Sequence, residues 1–503
     1  MFLYAELMKV KVCFIFALFL TITNGFCQSI FDSIYYSNNE GRANAVISVN
    51  EGGYVMAGSN ANYSIMSISK HSQNGDTLWT KSMVLGIGAG NYINSAIETN
   101  DSNYVLGGTS GDPVLLHSHA DLIKINKNTG DTIWVRKIGL PNRSERCYSV
   151  KQTSDNGFVL CGIRINQDSL GNITDEDVYL VKTDSMGIPQ WERTYGGTNS
   201  DFGQSIEITA EGGYMILGYT YSYGIGQYNM YLIKTDSLGN MLWQKTYGGN
   251  LKDYGFSIAK TNDGNYVLAG GTYISTDTVA AYIVKIDTAG IVQWEKRYKG
   301  NYKYAGFNAV KVLQNGDIAV SGGLVTRPNN IRNYGQLKIL NPNDGSSIWS
   351  KEYKYFDADS TQQEFYAMDL YNDGGFVMAG MAVDLRANAN PAYSMWLVKT
   401  DCMGNDSIWD SVNCSLPVGV SEVVAKDIND VLVYPNPATN QFTIENSQLR
   451  INSIHIYNVL GELVLERIAN SEKVIDVSSW NDGVYFVEVE TEKGVVRRKV
   501  VKE

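Results

Sequence analysis

The sequence predicts an all-β chain in which about seven copies of one four-stranded unit are followed by a small β-sandwich. Three observations carry this. A tryptophan recurs at Trp79, Trp134, Trp191, Trp243, Trp294, Trp349 and Trp409, at gaps of 55, 57, 52, 51, 55 and 60 residues. Each repeat divides into four runs rich in Tyr, Val, Ile, Leu and Thr. After residue 430 this period stops and a different alternation begins. A fixed period of about 50 residues marks a repeat architecture.

One copy shows the unit in full. Ser205-Ile206-Glu207-Ile208-Thr209 leads through Glu211-Gly212-Gly213 into Tyr214-Met215-Ile216-Leu217-Gly218. Tyr231-Leu232-Ile233-Lys234-Thr235-Asp236 then leads through Ser237-Leu238-Gly239-Asn240 into Met241-Leu242-Trp243-Gln244-Lys245. The glycine-bearing steps are hairpin turns that need positive φ, so each unit is an antiparallel meander. A single sheet of this size cannot bury both its faces. Stacking the sheets face to face around a ring does so and leaves only short edges. The pattern therefore reads as a β-propeller of about seven blades over residues 28–414.

Within it the tryptophan is expected between adjacent blades, contributing about 2–3 kcal/mol each. The glycine at the end of the second run is expected where backbones approach closely. Ser29-Ile30-Phe31-Asp32-Ser33-Ile34 echoes Ser407-Ile408-Trp409-Asp410-Ser411-Val412. Two segments thus compete for the outer strand of the last blade, and eight blades or an open array are alternatives.

Composition bounds the function. Hydrophobic residues are 44% and charged residues 18%, a globular balance. The 49 glycines and 33 tyrosines suit short strands and tight turns. A net charge of −11 argues against a nucleic-acid partner. Four histidines make a histidine-rich metal or acid–base centre improbable, and no cofactor is expected.

Lys9 and Lys11 precede an apolar run from Val12 to Ile22 that ends at Asn24-Gly25-Phe26-Cys27-Gln28, so residues 1–27 read as a signal peptide. Phe26 is too bulky for a lipoprotein signal before Cys27, and a soluble exported product is expected. Export permits disulfides. A Cys402–Cys414 bridge is open, and Cys147 with Cys161 is less favoured because Cys161 is expected opposite Val150.

The blade residues, Gly-Tyr-Val in the second run, Lys-Thr-Asp ending the third and Leu-Trp in the fourth, resemble PQQ-like and related bacterial propeller repeats. That resemblance implies architecture and no single activity.

Residues 415–430 read as a linker. From residue 431 the chain runs through Tyr434-Pro435-Asn436-Pro437, Asn458-Val459-Leu460-Gly461, Asp482-Gly483-Val484-Tyr485-Phe486-Val487 and Lys499-Val500-Val501-Lys502. Alternating apolar residues with a turn about every ten predict a small β-sandwich. The segment 431–503 resembles the type A C-terminal sorting domain of the type IX secretion system. Tyr434, Pro435, Asn436, Pro437, Gly461, Gly483, Tyr485 and Lys499 carry the match. The resemblance implies a Bacteroidota-type bacterium, the type IX machinery as partner and an extracellular or cell-surface destination.

Chemistry is sparse. Asp184, Asp236, Asp287 and Asp401 head tight turns and read as caps of their own backbone. Lys182, Lys234, Lys285 and Lys399 read as solvated strand-end residues. His117 and His119, in a long loop with Asp121, lack an identifiable third metal ligand. The long connections between second and third runs differ from copy to copy, as binding faces do. One carries Tyr219, Tyr221, Tyr223 and Tyr228, expected to contact an unknown protein or glycan. The sequence therefore predicts a surface-exposed binding or scaffold propeller that is not an enzyme. The alternative is a secreted hydrolase or oxidoreductase with its site at the propeller mouth.

Overall fold

The computed structural model describes residues 30–35, 41–60, 62–86, 90–112, 117–140, 143–167, 172–299, 303–325, 333–356, 361–384, 393–406, 431–446, 451–458, 463–468, 474–491 and 494–502. The expected signal peptide, the linker, Trp409, Cys414 and Gly461 lie outside these residues. The chain divides into two compact units, Met1–Leu416 and Pro417–Glu503.

In the first unit, five four-stranded antiparallel sheets stand alone. An eight-stranded sheet holds two further meanders, joined by one parallel contact between Val279 and Tyr304. In chain order the blades are 41–83, 92–138, 144–195, 201–247, 253–298, 304–353 and 361–399. The first strand of each blade touches the first strands of both neighbours, and that of the last touches that of the first. The unit is therefore a closed β-propeller.

The N-terminus closes it. Phe31–Tyr35 pairs antiparallel with Tyr393–Lys399 as the outer strand of the seventh blade, and Asp32 accepts a 2.6 Å hydrogen bond from the Trp396 indole. The echo between the two ends of the repeat region is explained by packing. Elsewhere a tryptophan sits under the turn glycine of the next blade: Trp79 under Gly130, Trp134 under Gly187, Trp191 under Gly239, Trp243 under Gly290, Trp294 under Gly345 and Trp349 under Gly404. Four residues after the tryptophan, the hydroxyls of Tyr195, Tyr247 and Tyr353 donate to Gly239, Gly290 and Gly404 carbonyls at 2.6, 2.9 and 2.7 Å. Phe31 and Tyr35 do the same for the first blade. Gly75 lies on the Phe31 ring, and Tyr35 donates to the Gly75 carbonyl at 2.6 Å.

Every first strand carries a β-bulge, at Asn44, Asn94, Tyr148, Gln204, Phe256, Asn308 and Tyr366. The bulge explains the recurring glycine of the second strand. A Cβ on Gly218 would lie 1.6 Å from the Phe202 carbonyl, and one on Gly380 1.8 Å from that of Glu364. The close approach is thus within a blade, between its first two strands. The turn between Gln152 and Phe158 sets the register on its side of the bulge, so Cys161 faces Ser149 and not Val150. Cys147 and Cys161 are free and buried, and Cys402 is disulfide-bonded.

The aspartates cap turns as expected. Asp236 accepts from the backbone N–H of Leu238 and Asn240 at 2.9 and 2.8 Å, and Asp287 from Ala289 and Ile291 in the same way. The lysines correct the expectation of solvated strand ends. Lys182, Lys285 and Lys399 are buried and reach back to the first turn of their own blade, pairing with Asp155, Asp263 and Asp373 at 2.8, 2.7 and 2.8 Å. An ammonium this desolvated needs a carboxylate partner, and the turn supplies it. Lys234, whose blade has Glu211 where those three have Asp, is only half-buried and donates to the Thr288 carbonyl.

The second unit is a sandwich of a three-stranded sheet (Val431–Tyr434, Gln441–Asn446, Val474–Asp476) and a four-stranded one (Leu463–Ile468, Ile451–Asn458, Gly483–Thr491, Gly494–Lys502). Phe442, Ile444, Ile456, Val487, Val489 and Val500 fill its core.

Candidate functional site

The bulges re-aim one face of each first strand toward the axis, and those side chains are half-buried while their neighbours fill the seams between blades. Two layers result. Arg42, Tyr92, Arg146, Phe202, Tyr254 and Glu364 stand two residues before the bulge. In the sixth blade that position is Gly306, and Tyr304 lies across it. Below them are the bulge residues themselves. Asn44, Asn94 and Asn308 are spent on the frame, donating to the carbonyls of Ile93, Cys147 and Phe365 in the next blade at 3.0, 2.8 and 2.8 Å. Deeper along the same strands, Lys151 pairs with Glu207 at 3.0 Å and Lys311 with Asp369 at 2.7 Å.

Through the two layers runs a circuit of tyrosines with one or more from each blade, linked by ring contacts or by electrostatic interaction. Tyr63 and Tyr92 rings are 5.8 Å apart. The Tyr92 and Tyr148 phenols interact, as do those of Tyr148 and Tyr219. Tyr219 lies 5.1 Å from Tyr254, which lies 6.3 Å from Tyr273. Tyr304 interacts with Tyr254 and Tyr273, and Tyr366 with Tyr304 and Tyr63. Burial raises all these shifted phenols, that of Tyr254 to about 12, so they stand as neutral hydrogen-bonding groups.

The circuit has two unlike sides. Blades four and five supply ring faces: Phe202 stacks on Tyr219 at 4.5 Å, and Tyr254 is parallel to Phe256 at 5.9 Å. Lys252 lies over Tyr228 and Tyr273 at 5.3 and 5.7 Å. Blades seven, one and three supply charge. Arg42 donates to the Tyr63 hydroxyl at 2.7 Å and lies over the Tyr63 and Tyr393 rings. Glu364, raised by burial, accepts from the Asn308 carboxamide at 2.9 Å.

The four tyrosines singled out in the sequence separate. Tyr219 and Tyr228 belong to this aromatic side, 5.8 Å apart, and the exposed Tyr221 lies against Tyr228. Tyr223 turns away, donating to the Gly196 carbonyl at 2.7 Å and leaning on Tyr231 in the seam between blades three and four. Sequence reading missed Tyr92, Tyr148, Tyr254, Tyr304, Tyr366 and both arginines. Their shared signal was position relative to the bulge, which becomes visible only when the first strands are aligned.

His117, His119 and Asp121 lie on one strand, His117–Ile125, and not in a loop. Among the described residues no group of three or more His, Cys, Asp and Glu is placed to hold a metal ion. Asp121 is fully buried, and neither of its carboxylate oxygens has a hydrogen-bond partner.

In the second unit, the Asn436 carboxamide donates to the Lys499 carbonyl at 2.7 Å and accepts from the Val501 N–H at 2.8 Å. Tyr434, Pro435 and Pro437 flank it, exposed. Lys499 is exposed beside Phe486, Gly483 pairs with Lys502, and Tyr485 is buried against Trp480. The described sorting residues therefore gather on the last strand, its neighbour and the segment laid along them.

Fold and tail together define an exported β-propeller. Residues 432–503 match the family model described as a secretion system C-terminal sorting domain. The chain thus carries a type IX sorting tail, which implies export to the cell surface or beyond and contact with that machinery. Over 149 residues it is 24% identical to an endo-acting ulvan lyase of Formosa agariphila, covering 29% of this chain and a quarter (25%) of that protein. Among solved structures it resembles the extracellular domain of a putative hybrid two-component system from B. thetaiotaomicron (10% identity, TM-score 0.42, 93% of this chain and 56% of that one). It also resembles a Penicillium chrysogenum α-L-arabinanase (13%, TM-score 0.41, 61% and 92%).

Proposed function

We propose that this chain is a type IX cargo, exported by the signal peptide of residues 1–27, from a Bacteroidota-type bacterium. Its propeller works outside the cell as a non-enzymatic binding protein that takes a protein or glycan at the tyrosine-lined mouth. The supporting observation is the circuit of tyrosines contributed by all seven blades, which brings rings and hydroxyls together near the axis. Immobilised full-length protein, and a Tyr228→Ala/Tyr254→Ala variant of equal thermal stability, are exposed to surface proteins and polysaccharides from the organism's surroundings. The reading expects a saturable partner that the variant loses. A partner held equally by both proteins would place binding elsewhere.

The similarity to an endo-acting ulvan lyase supports a second reading, action on a polysaccharide at the same mouth. Shortening of ulvan chains, lost in the same variant, would establish it.

A further inference from the structure

The charged side of the mouth specifies a ligand class. Arg42 and Arg146 project from first strands at equivalent positions, two residues before the bulges of blades one and three. Each is half-buried. Among the described residues neither guanidinium has a carboxylate within salt-bridge distance, whereas Arg164 in the adjacent seam holds both Glu145 and Glu192. Arg42 donates to the Tyr63 hydroxyl, lies over two ring faces and interacts electrostatically with Glu364, and its Nε is buried without a partner. Arg146 interacts with the phenols of Tyr92 and Tyr148 and, at longer range, with Glu176 at the rim. In the upper axial layer the Glu364 carboxyl is raised by burial against the opposing effects of Asn308 and Arg42, and it accepts from the Asn308 carboxamide. A half-desolvated guanidinium with no carboxylate in direct contact keeps unused donors, and a bidentate anion takes them up.

In blades four and five, next to Arg146, stand two stacked ring pairs, Phe202 on Tyr219 and Tyr254 beside Phe256, with Tyr219 and Tyr254 at 78° to each other. Such a surface offers aromatic rings from blades four and five and cations with hydroxyls from blades one and three. A pyranose has the matching form, with one face of C–H groups and an edge of hydroxyl and acidic substituents.

Resting on the binding reading above, we propose that the mouth recognises an anionic polysaccharide, its sugar rings packed on the aromatic rings of blades four and five and its carboxylate or sulfate groups held by Arg42 and Arg146. The test is affinity electrophoresis and calorimetry of the full-length protein with polygalacturonate, dextran sulfate, neutral dextran and polyglutamate. Polygalacturonate, dextran sulfate or both are expected to bind, at least tenfold more tightly than dextran and polyglutamate, and more weakly as salt rises. Arg146→Gln is expected to lose at least tenfold in that affinity. Arg42→Gln is expected to do the same if its melting curve matches the parent, and Tyr254→Ala weakens it independently. Which acidic polymer binds identifies the carboxylate or the sulfate. Equal binding of dextran, with Arg146→Gln unaffected but Tyr254→Ala defective, overturns the anionic class and keeps the mouth. Polyglutamate binding as tightly overturns the glycan. Acidic-polymer binding untouched by Arg146→Gln and Tyr254→Ala alike places it on another surface and overturns the proposal.

Discussion

The outer seams and the axial mouth are built on the same strands and obey opposite rules. At each outer seam the same device recurs: an aromatic ring beneath a left-handed glycine of the next blade, usually with a tyrosine four residues on that closes onto the glycine carbonyl. Even the N-terminal strand, with Phe31 for tryptophan, keeps it. At the mouth, equivalent positions hold arginine, tyrosine, arginine, phenylalanine, tyrosine, glycine and glutamate. Packing demands sameness because every seam has the same shape to fill. A ligand surface needs differences, because each blade meets a different part of the partner. Where a repeat diverges at a fixed position is therefore where function is expected.

The comparison is broken most severely at a seam glycine. Gly239 has φ +77°, and a Cβ there would lie 2.7 Å from a ring carbon of Trp191. Gly239→Val combines backbone strain with overpacking and is expected to cost about 3–5 kcal/mol. Gly212 has φ +80° with nothing within 4 Å of a Cβ. Gly212→Val in the same blade is expected to cost about 1–3 kcal/mol, the strain alone. Urea midpoints of the full-length variants separate the two contributions, and equal midpoints would show that the tryptophan contact is not what holds the seam.

The next largest effect tests an exception within the seams. Opposite the bulge glycine of the second strand, the third strand carries Tyr179, Tyr231, Tyr282 and Trp396 in blades three, four, five and seven, but Asp121 in blade two. Burial pushes its carboxyl up to about 7. The folded state then keeps a proton that the unfolded chain releases near 4, so stability falls as pH rises from about 4 to 7 and levels off above. For one fully buried carboxyl this amounts to at most about 4 kcal/mol. Asp121→Asn is expected to remove that slope, gaining on the parent steadily across the window. Parallel stability curves for the two proteins would mean that Asp121 is solvated or paired in solution.

Much of this frame was legible in the sequence, because repetition multiplies a weak signal. A single run such as Gly53-Tyr54-Val55 is ambiguous, but a comparable apolar run in each of seven copies, in register with seven tryptophans, is not. The closing strand was narrowed to two candidates by the echo of Phe31 and Trp409, and the choice needed three-dimensional pairing. The buried lysines were misread because a strand-end lysine looks solvated until its carboxylate, 22–27 residues earlier in Asp155, Asp263 and Asp373, folds beside it. The mouth was read only in part. Tyr219 and Tyr228 stood out by crowding, whereas Tyr92, Tyr148, Tyr304 and Tyr366 are far apart in sequence and meet only because each bulge turns its strand toward the axis. A bulge has no composition of its own, since Asn, Tyr, Gln and Phe all occupy it here.

The smallest expected effect draws the border between seam and mouth within one loop. Tyr223 and Tyr228 are five residues apart and equally aromatic. Tyr228 stands beside Tyr254, Tyr219 and Lys252, whereas Tyr223 spends its hydroxyl on the Gly196 carbonyl and its ring on Tyr231. Tyr223→Phe keeps the ring and deletes one hydrogen bond, so it is expected to lower stability by about 1 kcal/mol and leave ligand affinity unchanged. Tyr228→Phe is expected to leave stability within about 0.5 kcal/mol, as a surface change does, and to show its effect in affinity. Melting curves and binding isotherms on the two variants resolve the border. If Tyr223→Phe weakened binding as much as Tyr228→Phe, the loop would act as one contact surface, and the division between packing and recognition would lie further out than Gly196.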